Sequence, residues 1–231
     1  MAEKINQKQG APEVAETLNQ HEAFVLKYKN AIIGCVAVVV LLIVGGIFWK
    51  DYVNDKQEKA STQMAKAQET FAQAMQTHNA QTFELALKGD SLGRVGFLAI
   101  ADDFSSTKAG NLANLYAGLC YAQMGQMEDA AKYLEKFDMK DDQMVSPAVM
   151  GTLGNVYASL GQLDKAVDLL KKAASKADNN SLSPQFLIQA GEILESQGQK
   201  AEALKLYEQV KDQYFKSMQY QVIDEYIERV K

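Results

Sequence analysis

Cysteine, proline, histidine and tryptophan are all scarce. The 231 residues hold two Cys, three Pro, two His and one Trp. Two cysteines cannot build a disulfide framework, and three prolines exclude a collagenous or Pro-rich chain. An excess of basic charge is missing too: Lys and Arg number 24 against 29 Asp and Glu, a formal net charge of −5. A general nucleic-acid binder must neutralise phosphates with a cationic surface, so that class is excluded. Catalytic motifs are also wanting. The chain has no G-x-G-x-x-G, P-loop, G-x-S-x-G, H-E-x-x-H or C-x-x-C motif. The pairs Asp102-Asp103 and Asp141-Asp142 are expected at helix ends or in loops, and adjacent helical residues do not face each other. No catalytic residue, cofactor, metal site or small-molecule substrate is expected, and the chain reads as a non-enzyme.

A long apolar run is present, although a mean hydropathy of −0.23 conceals it. Residues 31 to 49 read AIIGCVAVVVLLIVGGIFW, nineteen positions without a charge. At ~1.5 Å per residue such a helix is about 28 Å long, close to the ~30 Å hydrocarbon core of a bilayer. Tyr28, Trp49 and Tyr52 stand at its ends, where amphipathic rings favour headgroups, and Lys27, Lys29 and Lys50 can snorkel outward. A cleaved signal peptide fits worse, because the run starts late and no A-x-A-like site follows. The segment is therefore expected to persist as a single-span signal anchor. Lysines flank both ends, so counting them does not set the orientation.

The rest divides around this span. Residues 1 to 30 form a short arm with four lysines and four acids, in which Val14, Leu18, His21 and Val25 make a short amphipathic stripe. Disorder is expected before Pro12. Residues 50 to 110 read as leading helices forming a degenerate repeat, with Met64, Ala67, Phe71 and Met75 as a packing stripe and a short helix around Gly93 to Phe104. Residues 111 to 214 hold three repeats. Residues 215 to 231 read as a closing helix, with Tyr220, Ile223, Ile227 and Val230 at helical spacing.

The repeats begin at Leu115, Gly151 and Ile188 and recur every 36 and 37 residues. In each, a small residue (Gly118, Gly154, Gly191) stands seven before a turn glycine (Gly125, Gly161, Gly198), Gln follows the turn, and Ala130, Ala166 and Ala203 come five after it. The first glycine of each set lets two helices approach closely; the second ends a helix where φ must be positive. The alanines occupy the helix crossing, where a larger side chain overpacks. Tyr121, Tyr157 and Leu194 are expected to fill the space between helices, and Leu134, Leu170 and Tyr207 to face the next repeat. Pro147 and Pro184 open two of the first helices. These are tetratricopeptide positions, and they predict an all-α fold: one transmembrane helix followed by a helix-turn-helix solenoid.

An anchor, a helix leaving the membrane and G-x6-G-x4-A repeats together resemble the YfgM-like family of ancillary SecYEG translocon subunits of Gram-negative bacteria. The resemblance implies an inner-membrane protein with its N-terminus in the cytoplasm and its repeats in the periplasm. Its implied partners are translocon subunits, a membrane-anchored chaperone and emerging, unfolded secretory chains. In a bacterium the sequon Asn179-Asn180-Ser181 carries no glycan. The alternative role is a scaffold for another envelope complex, in outer-membrane assembly, division or motility.

A solenoid binds through its concave face, lined by the first helix of each pair. Those helices are expected at about residues 111 to 124, 147 to 160 and 184 to 197, without a lysine or arginine, which disfavours capture of a C-terminal carboxylate. The groove positions are Leu112, Leu115 and Leu119, then Ala148, Gly151 and Asn155, then Gln185, Ile188 and Glu192. An apolar first third suits extended chain or a partner helix. The leucines could equally pack on the preceding helix.

Overall fold

The computed structural model describes the backbone from Ala11 onward and side chains from Lys27 onward, Ile32 excepted. Residues 1 to 10 and the stripe of Val14, Leu18, His21 and Val25 lie outside what is described. Among the described residues every element is helical, apart from a lone antiparallel bridge between Gly89 and Val95. The chain divides into two compact units, Met1–Asp55 and Lys56–Lys231.

Helix α1 (Ala11–Thr77) supplies the first unit. Every described side chain from Lys27 to Asp55 is exposed, Leu42 and Phe48 each at 71%. This helix is long and apolar enough to cross a membrane. A Cβ on its interior glycines Gly34, Gly45 and Gly46 would meet nothing within 4 Å beyond the helix's own backbone.

The second unit starts with residues 56 to 77 of α1, which bury Ala60, Met64, Ala67 and Ala74. Steps alternating between four and three residues hold one face of a 3.6-residue helix. That is why Ala74 makes the contact expected of Met75, which is exposed. Phe71 sets its ring edge-on to Phe83, Phe97 and Tyr116. These rings join α1 to α2 (Ala80–Lys88), α3 (Phe97–Asp103) and α4 (Lys108–Gln123) in one core. Helix α3 starts later than the sequence suggested, because residues 89 to 96 are tied into a turn. Asp90 accepts the backbone N–H of Leu92 and Arg94 and binds the Arg94 guanidinium. A Cβ on Gly89, at φ +77°, would lie 2.1 Å from the Arg94 carbonyl oxygen.

Three hairpins follow: α4 with α5 (Met127–Glu135), α6 (Val145–Ser159) with α7 (Leu163–Ala177), and α8 (Ser183–Ser196) with α9 (Lys200–Gln213). Their turns share one hydrogen-bond pattern. Gly125, Gly161 and Gly198 have φ near +75° and each donates its N–H three residues back, to Ala122, Ala158 and Glu195. The following Gln126, Gln162 and Gln199 donate five residues back, to Tyr121, Tyr157 and Leu194, all at 2.9 Å. This double closure is a Schellman motif. The same glutamines accept from Ala130, Ala166 and Ala203, opening the second helix. One residue thus caps two helices, which explains the invariant five-residue step from glycine to alanine. Around Gly161 a Cβ would meet nothing within 4 Å. Gly161→Ala should therefore cost only the left-handed backbone strain, about 1 kcal/mol, and Gly161→Asn less, since Asn tolerates this region. Thermal melting of the two variants measures the difference.

The small glycines act inside each hairpin. A Cβ on Gly118 would stand 2.6 Å from Leu134 Cγ, one on Gly154 3.0 Å from Leu170 Cγ, and one on Gly191 2.3 Å from the Tyr207 ring. Leu134, Leu170 and Tyr207, each fully buried, thus reach into their own repeat rather than only facing the next. The expected closing helix is also shorter. Tyr220 is 41% exposed in a 3-10 turn (Gln219–Gln221), and only α10 (Ile223–Val230) buries Ile223, Ile227 and Val230. Arg229 anchors it by donating to both Glu195 carboxylate oxygens, with its guanidinium 4.8 Å from the Tyr226 ring centre.

Candidate protein-binding surface

Helices α4, α6 and α8 carry the groove positions read from the sequence, but the structure separates them. Asn155, Gln185 and Glu192 are exposed, while Ala148 and Leu119 are half-buried. Gly151 offers no surface to a partner: it is buried, and a Cβ on it would stand 2.2 Å from the Phe186 ring. Its absent side chain seats α8 against α6. Ile188 likewise belongs to the core, at 7% exposure. Leu112 packs against both the leading core and the next one, and Leu115 against the latter. Of the groove positions, Asn155, Gln185 and Glu192 thus stay exposed, with Leu119 half-buried on α4.

At one end the expected absence of cations changes. Helix α4 begins at Lys108, capped by Thr107, whose hydroxyl accepts from the Gly110 N–H. The sequence hid this start because no proline marks it.

The connections over residues 140 to 146 and 178 to 183 are built alike. Asp142 accepts the backbone N–H of Met144 at 2.9 Å and of Ser146 at 3.1 Å, and takes the Ser146 hydroxyl proton bond at 2.6 Å. A repeat later, Asn179 Oδ1 accepts from Ser181 and Leu182, and Ser183 Oγ donates to the Ala174 carbonyl. Ser146 and Ser183 are fully buried and each precedes a proline. An acceptor side chain thus satisfies a helix start whose proline lacks an N–H. The pattern [DN]-x3-S-P was the available signal in the sequence.

The Ser146 hydroxyl and the surrounding backbone N–H groups hold the Asp142 carboxyl down at about 2. A carboxyl depressed on folding stabilises the protein above the unfolded value near 4, and this contribution is lost as pH falls toward about 2. Asp142→Asn, which keeps one acceptor as Asn179 does, should lose this acid sensitivity. Asp142→Ala should cost about 1 kcal/mol at neutral pH. Denaturant midpoints followed from pH 7 downward compare the three.

Cys120 is fully buried, and burial pushes its thiol up to about 12. Cys35 is exposed on α1. Asp102 and Asp103 are both exposed, and His78 ends α1 at φ +51°. Among the described residues no group of three or more His, Cys, Asp and Glu is placed to hold a metal ion.

The fold has solved counterparts. Crystal structures of nearly identical TPR-like repeats of Podosopora anserina, assigned to a kinesin light chain, superpose with a TM-score of 0.56 at 16% identity. The match covers 75% of this chain and 85% of that one; a second crystal structure of the same repeats gives 0.56 at 16%, covering 75% and 86%. At this identity the likeness concerns the fold alone. No curated protein matches the chain. Residues 22 to 229 match the family described as Tetratricopeptide repeat-like domain, and that match spans most of the sequence. The chain belongs to the tetratricopeptide repeat-like domain family.

Proposed function

We propose that this protein is a membrane-anchored interaction module of the bacterial envelope, held by residues 31 to 49 with its repeats in the periplasm. There it serves as a chaperone-like ancillary partner of the secretory translocon. Repeats of this family make a protein-protein interaction module. The observation that carries the membrane part is the bare apolar helix. A run of nineteen uncharged residues whose described side chains are all exposed must be covered by something apolar, and its length fits lipid. The site-level reading rests on the groove positions Leu119, Asn155, Gln185 and Glu192. Apolar on α4 and polar on α6 and α8, they suit extended, partly unfolded chain.

Two experiments test this reading. Co-purification from detergent-solubilised membranes should recover translocon subunits and a membrane-anchored chaperone; recovery of a division, motility or outer-membrane assembly machine instead would reassign the role. Protease added to intact spheroplasts should digest the repeats. If they survive while a periplasmic control is cut, the orientation is reversed.

A further inference from the structure

One groove of about 800 Å³ lies where α4 begins, α5 ends and α6 begins. Its apolar walls include Leu112, Phe137 and Val145, and Val145 is 45% exposed. Lys108, Lys136 and Lys140 also line it, in a protein whose net charge is −5. The two carboxylates of its lining are committed within the fold. Asp138 pairs with Lys140, and Asp142 caps α6 through the backbone N–H groups already described. Three lysines against two carboxylates give the lining a net charge of +1, with Lys108 and Lys136 its cations outside the Asp138–Lys140 pair; the Lys136 ammonium also lies 4.6 Å from the Tyr133 ring centre.

The walls are fixed in advance. Asn111 bridges α4 to the chain leaving α5, accepting from the Asp138 N–H at 2.6 Å and donating to its carbonyl at 3.0 Å. The Lys140 N–H binds Ser146 Oγ at 2.8 Å, so the segment from 138 to 146 is pinned at both ends. A groove held open this way pays little ordering entropy when a ligand enters. The corresponding first turn of the next repeat carries Met144, Pro147 and Ala148, one repeat on from Lys108, Asn111 and Leu112. Lys136 and Lys140 recur a repeat later as Lys172 and Lys176, so Lys108, Asn111 and Leu112 are what set the groove of the first hairpin apart.

We infer that this groove binds an extended peptide segment of a partner protein in which acidic side chains alternate with Leu or Phe. The apolar side chains enter between Leu112, Phe137 and Val145, and the carboxylates meet Lys108 and Lys136. This rests on the interaction-module reading and gives it a partner chemistry at a place apart from Leu119 and Asn155. Desolvated apolar contact supplies affinity, and the lysines supply selection by sign and a salt-dependent on-rate.

The test uses the full chain in detergent micelles and three rhodamine-labelled dodecapeptides, read by fluorescence anisotropy. The first alternates Glu with Leu and Phe; the second has Lys for each Glu; the third keeps Glu and has Ser for each Leu and Phe. The first should bind at least about tenfold more tightly than either other, a gap that shrinks as salt rises. Lys108→Glu with Lys136→Glu should abolish the preference, while Lys108→Arg with Lys136→Arg keeps it. Both lysines are exposed, and circular dichroism checks that the double variants remain helical. Equal binding of the three peptides overturns the inference. So does an unchanged preference in the glutamate variant, although peptide binding that persists there leaves the interaction-module reading standing.

Discussion

Gly118→Val is expected to destabilise the repeat unit by about 3 kcal/mol, at the upper end of ordinary overpacking. Even a Cβ at this position would stand 2.6 Å from Leu134 Cγ and 3.2 Å from the Ala130 carbonyl oxygen. Leu134 and Ala130 are both fully buried, so neither has room to retreat. Valine adds two methyl groups beyond that Cβ and forces α4 and α5 apart. In a unit of this size the loss corresponds to a melting point lower by about 6–12 °C. Combining it with Leu134→Ala should return part of the loss, because the removed branch vacates the contested volume. A coupling of about 1–2 kcal/mol in the double-mutant cycle is the expected signature. Urea unfolding followed by circular dichroism measures all four species. A Gly118→Val protein that melts like the parent would show that the two helices do not meet this closely.

The second large effect concerns the anchor. Placing Lys at both Val40 and Ile43, near the middle of the apolar run, costs about 2.5–3.5 kcal/mol per charge on insertion scales. Together that is about 5–7 kcal/mol, more than about a thousandfold in the insertion equilibrium. Both side chains are exposed, at 51% and 58%, so no protein core is damaged by the change. The charged variant should appear in the carbonate-soluble fraction, whereas Val40→Leu with Ile43→Leu stays with the membrane. If the double-lysine protein also resists carbonate, another part of the chain holds it to the bilayer.

Much of the fold was legible because its determinants are local. The turn glycine, the glutamine after it and the alanine four further on lie within six consecutive residues, and each answers to one hydrogen bond or one close contact. The apolar run needed only its length. What sequence reading missed depends on residues far apart in the chain. Gly151 fits a groove position by counting, but the ring of Phe186 settles its fate. Met75 lies four residues beyond Phe71, yet Ala74 makes the contact because the helical period demands a three-residue step there. The start of α4 at Lys108 carries no mark in the sequence, because Thr107 caps it without a proline nearby. The groove between α4, α5 and α6 was illegible for the same reason. Lys108, Asn111, Lys136 and Val145 share it only after the first hairpin closes and α6 follows it.

Photocrosslinking in living cells tests the central claim most directly. A photoreactive amino acid at Leu119 or Asn155, on α4 and α6, should give light-dependent adducts containing translocon subunits or secretory chains. The same probe at exposed Lys172, on the second helix of its repeat, should give few. Adducts with proteins confined to the cytoplasm, or none from Leu119 and Asn155 in a protein shown to be folded and membrane-bound, would contradict it.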